Sequence, residues 1–480
     1  MTQSSSYGGS TLFYPIAELV GLPIDQANFI ISQLIALALA SLLRSTLSHK
    51  TTSSSVRQLF SLSLGVFVGV FCFGYQVVHL AALPVLCYLI MRTLSPSIMQ
   101  NVVLVVALGY LSIIHLRRQV FDYGSYVLDV TGPLMVMTQK VTSLAFSLHD
   151  GLTKSPDKLT SSQKSLAIRE IPSMLDYFCY ILQFQTIMCG PVVFFNDYKE
   201  YIEGTNFEKK RDREVSGTFE PSPGCVVAKK VVGAAACAVI FVQFGSAFNI
   251  TYLKDESFFT HSLAWKIFYI YVTTLITRLK YYHAWLVADA ICNNSGLGFN
   301  GLTETGEQKW DLISNVDIIS FEMATNFRNS IDAWNKGTNR WLRVMVYERV
   351  QSHSTGLTYG LSALWHGFYP GYYVTFASGA LFTFGARAVR RHIRPYFLGT
   401  TPLKYLYDAI TFLTTRVCMA YITFPFVLLE FWPSLRIYAD LYFSFHILAM
   451  IATMLLPVVM PKPARSSESN KTPTTNGVAR

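Results

Sequence analysis

Between Arg349 and Arg387 this 480-residue chain has no Asp, Glu, Lys or Arg. Charge is scarce throughout. Only 14% of residues are charged against 51% apolar, where soluble domains carry about 25% charge. A mean hydropathy of +0.34 agrees, so a set of soluble domains is excluded. The eight cysteines, at 72, 87, 179, 189, 225, 237, 292 and 418, include no CxxC pair. That excludes a recognisable zinc or disulfide framework. No G-x-S-x-G elbow, Walker loop or H-E-x-x-H helix occurs, so an acyl-enzyme on a serine elbow, P-loop chemistry and a zinc hydrolase are not indicated. Residues 1–11 hold no Lys or Arg, so no basic n-region of a cleavable signal is visible. No lipidation box or retrieval tetrapeptide is present. No period of 20–50 residues repeats, and no inverted duplication is seen.

What is present is a series of apolar runs closed by short basic clusters. Gln26–Leu43 is uncharged and ends in Arg44, His49, Lys50 and Arg57. Gln58–Met91 is uncharged for 34 residues, too long for one crossing of a core about 30 Å thick, so two short spans broken near Gly74 or Pro84 are expected. Further spans are expected over Thr93–Leu116, Asp176–Phe195, Val231–Leu253, 409–429 and Leu441–Pro461. Thr131–Asp150 has helical periodicity but carries Gln139, Lys140, His149 and Asp150. It reads either as a helix buried among its neighbours or as the wall of a water-filled cavity. Ser262–Ala290 is likewise interrupted by Lys266, Arg278, Lys280 and Asp289. The net charge of +10 sits in clusters between apolar runs, a pattern that fits cytosolic loops and anionic headgroups rather than nucleic acid. One such cluster, Lys209–Arg213, lies in the long hydrophilic loop 199–230. The expected architecture is an all-α polytopic membrane protein of about 10–11 spans forming a single domain, 1–461. A polar tail, 462–480, is too poor in apolar residues to fold.

The uncharged run between Arg349 and Arg387 centres on Leu361-Ser-Ala-Leu-Trp-His366-Gly-Phe-Tyr-Pro-Gly-Tyr372. An ionisable side chain at membrane depth is costly to solvate, which makes His366 a functional candidate. The plainer reading is a neutral histidine bonded to a neighbouring helix. Thirty-one residues earlier lies Ile331-Asp-Ala-Trp-Asn335-Lys-Gly-Thr-Asn-Arg340. Gly337 suggests a local break there, and Asn339 is placed to cap a following helix, Arg340–Val350. Alone, Asn335 reads as a turn residue. Beside an intramembrane histidine it gains a second reading. A neutral imidazole accepts a proton from an alcohol, while a carboxamide orients the nucleophile or donates to a developing oxyanion.

The pairing of Trp334-Asn335 with Leu361–Tyr372 resembles the membrane-bound O-acyltransferase family. The similarity extends over Phe29–Thr52, Cys72-Phe-Gly74, Thr131–Gly151, Gly190-Pro191 with Asp197-Tyr198, Tyr281–Asn294 and Trp310–Ile313. Within the family it is closest to the lysophospholipid acyltransferases, in particular those acting on lysophosphatidylethanolamine and lysophosphatidylserine. The resemblance implies helices curved around a central chamber, with His366 as the embedded histidine and Asn335 as its partner. It implies acyl-CoA as co-substrate, a lysophospholipid acceptor, no bound cofactor and no metal. With the basic clusters, it points to the endoplasmic reticulum membrane. Secondary candidates are Trp334 and Trp365 as chamber walls, Tyr369 and Tyr372 (with Tyr373) as headgroup contacts, and Arg278 and Lys280 as partners for CoA phosphates.

Three alternatives follow from the same residues. The acceptor is another lysophospholipid, a sterol, diacylglycerol or a protein; or the polar helices line a transport path; or His366 and Asn335 are structural parts of a membrane scaffold. Association with a second copy stays open. Asn249-Ile-Thr251 and Asn470-Lys-Thr472 are glycosylation acceptors only if luminal.

Overall fold

The computed structural model of the protein describes residues 7–125, 127–209 and 221–460. The side chains of the basic run 209–213 and the whole polar tail lie outside the described residues. Among the described residues every regular element is a helix, apart from one isolated bridge between Leu302 and Gln308.

The principal helices are α1 (Ile24–Ser45), α2 (Ser54–Phe73), α3 (Val77–Thr93), α4 (Met99–Phe121), α5 (Thr131–Thr153), α6 (Met174–Leu182), α7 (Gly224–Phe244), α8 (Leu263–Ser295), α9 (Phe327–Ala333), α10 (Lys336–Leu342), α11 (Ser354–His366), α12 (Pro370–His392), α13 (Thr401–Leu428), α14 (Phe431–Asp440) and α15 (Ser444–Met454). Among the described residues, five helical stretches are long and apolar enough to cross a membrane: α1, the α2–α3 stretch, α4, α7 and α13. A sixth arises if α14 and the Ser444–Val459 segment, bent by 79° against each other, act together. The count expected from the sequence was higher because several apolar runs are broken or turned inward.

The long run at 58–91 breaks at Gly74, where φ is +55°, while Pro84 stays inside α3. A Leu80 methyl carbon lies 3.6 Å from where a Gly69 Cβ would stand. An unbroken helix would place those residues about 16 Å apart. The chain therefore turns sharply at Gly74. The expected span Asp176–Phe195 is helical only as far as Leu182 and continues as buried irregular backbone. Such backbone is tolerated at membrane depth only inside protein, where its polar groups find partners. Lys140 supplies one: its ammonium donates to the carbonyls of Tyr180 (3.0 Å) and Ile181 (3.3 Å) and to Thr186 Oγ1 (2.7 Å). Gly65 permits the close approach, since a Cβ there would collide with the Leu182 carbonyl. The last expected span, Leu441–Pro461, is also broken, with Tyr442 and Phe443 in left-handed conformation before α15 begins.

α5 is buried along almost its entire length, with Gln139, Lys140 and Asp150 bonded to neighbouring segments; only its first turn borders a cavity, so the reading as a helix buried among its neighbours is the one that holds for the polar residues. Two apolar cores result. The first gathers residues of α1–α6 and includes Trp365; the second gathers α8, α12, α13 and α14 with Trp334 packed against it. The cavity is lined from both.

Candidate active site

The run containing His366 is not one helix. α11 ends at His366, Gly367 breaks the chain at φ +111°, and α12 starts at Pro370. The histidine thus stands at a helix C-terminus, not in mid-helix as the uncharged run suggested. Its Nδ1 lies 2.7 Å from the Ser362 carbonyl. A carbonyl only accepts, so Nδ1 carries the proton and the neutral ring keeps its lone pair on Nε2. The imidazole is ringed by aromatics, with centroids at 4.5 Å (Trp365), 4.9 Å (Phe376), 5.2 Å (Phe426) and 6.0 Å (Tyr372). Trp365 in turn donates its indole N–H to the Met135 carbonyl of α5 at 2.9 Å.

Asn335 occupies the turn between α9 and α10 with φ +47° and ψ +52°. This left-handed conformation is one that asparagine tolerates better than most residues. The turn is held from outside. Lys336 N donates to the Asn315 carbonyl at 2.8 Å, and Gly337 N to Asn315 Oδ1 at 3.1 Å. α10 is tied to α5 by Gln139 Nε2 to Thr338 Oγ1 (2.8 Å) and Trp341 Nε1 to Thr142 Oγ1 (3.0 Å). Asn339 does not cap a helix over 340–350. It lies inside α10, and its amide reaches back to the carbonyls of Ile331 (2.6 Å) and Trp334 (2.8 Å), closing the end of α9. The chain from Arg343 to Tyr347 forms a π-type turn instead. Among the described residues, nothing hydrogen-bonds the Asn335 carboxamide.

His366, Asn335, Trp334, Trp365, Tyr369, Tyr372, Lys280 and Arg278 all line one cavity of about 1980 Å³. Trp334 packs there against Trp285 and Phe321, with centroids at 5.0 and 5.2 Å. The structure also gives some of these residues internal partners. Arg278 faces Glu322 through Nε (2.9 Å) and Nη2 (3.1 Å), and Tyr282 and Arg416 converge on the same carboxylate. The Tyr369 hydroxyl accepts from Gly124 N at 3.1 Å, tying the turn after His366 to the end of α4. The Lys280 ammonium stands 5.2 Å from the Tyr281 ring centroid.

The two ends of the cavity differ. At the Ser354 end of α11 it is lined by Arg387, Arg390 and Arg394, with Arg387 donating to Thr355 Oγ1 at 3.0 Å. A 13-residue helix separates this rim from His366 by about 18 Å. Between them the walls include Thr274, Thr277, Thr358, Thr383, Thr414 and Thr423. Each donates its hydroxyl to a carbonyl one turn back, so these hydroxyl protons are committed within the helices. At the His366 end lie Arg118, already paired with Asp129 at 2.7 Å, and His115.

Three contributors were missed in the sequence. Ser362 had a signal, since a residue four before His366 shares its helix face. His115 had one too, being an imidazole in an apolar run. Asn315 had none, because only the fold brings it to the Asn335 turn.

Residues 118–429 match the membrane-bound O-acyltransferase family. The chain is 49% identical over 479 residues to lysophospholipid acyltransferase 6 of Drosophila melanogaster, covering 98% of this chain and 66% of that protein. It is 40% identical over 475 residues to membrane-bound glycerophospholipid O-acyltransferase 2 of Homo sapiens, covering 97% and 91%. To the lysophospholipid acyltransferase of Schizosaccharomyces pombe it is 32% identical over 477 residues, covering 96% and 91%. A histidine held by its own helix and a turn asparagine on one cavity are thus carried by a chain that belongs to the membrane-bound O-acyltransferase family.

Proposed function

We propose that this O-acyltransferase moves a fatty acyl group from acyl-CoA to the free hydroxyl, at sn-2, of a lysophospholipid, with lysophosphatidylethanolamine and lysophosphatidylserine as the leading acceptors. The observation that carries the reading is the 2.7 Å contact between His366 Nδ1 and the Ser362 carbonyl, which makes Nδ1 the donor and leaves Nε2 of the neutral ring as the base. His366 Nε2 takes the proton of the acceptor hydroxyl as its oxygen attacks the thioester carbonyl. The Asn335 carboxamide, uncommitted to the protein, donates to the oxygen on which negative charge develops or holds the attacking hydroxyl. Collapse of the tetrahedral intermediate breaks the C–S bond, and the proton passes from Nε2 to the departing sulfur, so that CoA leaves as a thiol. The aromatic ring around His366 limits water, which would otherwise hydrolyse the thioester.

The phosphates of acyl-CoA are assigned to the rim of Arg387, Arg390 and Arg394, where charge-assisted bonds form without dehydrating a lone cation inside the bilayer. Lys280 and Arg278 lie midway along α8, and Arg278 already serves Glu322, so these two stand as interior electrostatic partners. Trp334 and Trp365 wall the chamber, and the Tyr372 ring stands 6.0 Å from that of His366. The endoplasmic reticulum membrane is the proposed site of this multi-pass enzyme's acyl-chain remodelling, a reading supported by the basic clusters that close its apolar runs.

CoA release by the purified protein in nanodiscs tests this. Oleoyl-CoA is supplied with lysophospholipids that differ only in headgroup. Release that depends on a lysophospholipid, and is greatest with ethanolamine or serine, is expected. Well-folded protein that stays silent across the panel overturns the acceptor assignment.

A further inference from the structure

α11 is held in place by groups outside it. The last carbonyls of a helix have no partner within it. At this terminus Gly367 N lies 3.2 Å from both the Ala363 and Leu364 carbonyls. The Trp365 carbonyl is met instead by His115 Nε2 of α4, at 3.1 Å. That nitrogen must carry the proton, because the carbonyl only accepts. His115 is 7% exposed, lines the cavity, and lies so close to the break that a Cβ on Gly367 would stand 2.8 Å from its Nδ1. Trp365 is therefore pinned twice, by its carbonyl to α4 and by its indole to Met135 of α5. The bond from His366 to Ser362 sets the ring rotation but stays within α11, so it cannot set where the helix end sits in the cavity.

We infer that His115 is a positioning residue for the transfer: its Nε2–H anchors the carbonyl of Trp365 and thereby aims His366 Nε2 at the reacting hydroxyl. The inference rests on the reading that His366 takes that proton. A displacement of about 1 Å in a catalytic group costs on the order of 100-fold in rate. A carboxamide at the end of a glutamine side chain presents an N–H close to where Nε2 lies, so glutamine retains the anchor and alanine does not.

The experiment compares wild type, His115→Ala, His115→Gln and His366→Ala in nanodiscs, with oleoyl-CoA and lysophosphatidylethanolamine as probes. Turnover, both KM values and the thermal unfolding midpoint are measured. In His115→Ala, kcat is expected to fall about 30-fold or more, with both KM values changing less than about threefold. The midpoint is expected to hold and His115→Gln to recover most of the lost kcat. Wild-type kcat in His115→Ala overturns the inference, as do equal losses in the two variants. A raised KM at unchanged kcat overturns it in favour of direct substrate contact, and a midpoint that falls together with kcat overturns it in favour of a packing role. The two readings separate cleanly. Activity in His366→Ala removes the premise, whereas inactive His366→Ala beside fully active His115→Ala removes only this inference.

Discussion

The turn at His366 and the turn at Asn335 solve opposite problems. Each has a residue of positive φ at a break between two helices, but Gly367 is at φ +111°, ψ −162°, open to glycine alone, whereas Asn335 is in the left-handed conformation at φ +47°, ψ +52°. At the first, the side chain is bound: Nδ1 is held by Ser362, and four aromatic rings surround the imidazole. At the second, the backbone is bound, by the main-chain carbonyl and the side-chain oxygen of Asn315, and among the described residues nothing hydrogen-bonds the carboxamide. A group that must accept a proton needs its tautomer chosen beforehand. A group that must hydrogen-bond a transient oxygen needs a fixed base and an unoccupied head. The difference between the turns is thus the difference between the two proposed roles.

Replacing His366 tests that contrast most severely. His366→Ala is expected to lower kcat by about 1000-fold, and His366→Gln to fare no better, because an amide nitrogen does not take up a proton. Single-turnover transfer from oleoyl-CoA reads this directly, and recovery in the glutamine variant would reduce His366 to a hydrogen-bonding element. At the second turn, Asn335→Ala is expected to cost about 100-fold in kcat. Asn335→Gly should be equally inactive yet more stable than Asn335→Ala by about 1 kcal/mol, since glycine adopts the left-handed backbone without strain. Thermal melts beside the assay separate the two effects, and an active glycine variant would show that only the backbone of this turn matters. The smallest effect is expected from Asn315→Ala, which removes the Oδ1 bond to Gly337 but keeps the backbone bond to Lys336. A loss of several-fold in kcat, with about 1 kcal/mol of stability, is the expected scale for one hydrogen bond. No change in either quantity would mean that the backbone contact alone holds the turn.

Much of this was legible in the residues. The scarcity of charge and the basic closures of apolar runs announced a polytopic helical protein, because lipid penalises each unpaired charge and leaves helices as the simplest way to satisfy the backbone. His366 announced itself as an imidazole at the centre of a run without Asp, Glu, Lys or Arg. Trp334, Asn335 and the run after Leu361 were recognisable because the residue types are distinctive and close in sequence. Arg278 shows the limit: its place among apolar residues suggested a substrate partner, and the fold supplies Glu322. Lys140 shows the same. Its ammonium looked available for a cavity, and it caps α6 in the interior instead.

Composition and local pattern settle what depends on one residue and its immediate neighbours: helices, the membrane as solvent and the likeness to an acyltransferase family, and they single out the two side chains proposed for the chemistry. Which apolar runs break, which nitrogen of His366 faces the chamber, and how His115, Met135 and Asn315 come to hold the two turns are decided by contacts between segments up to 250 residues apart. Hydrogen bonds of that reach depend on where whole helices stand, and a carbonyl orphaned at a helix end takes whichever donor the packing brings to it.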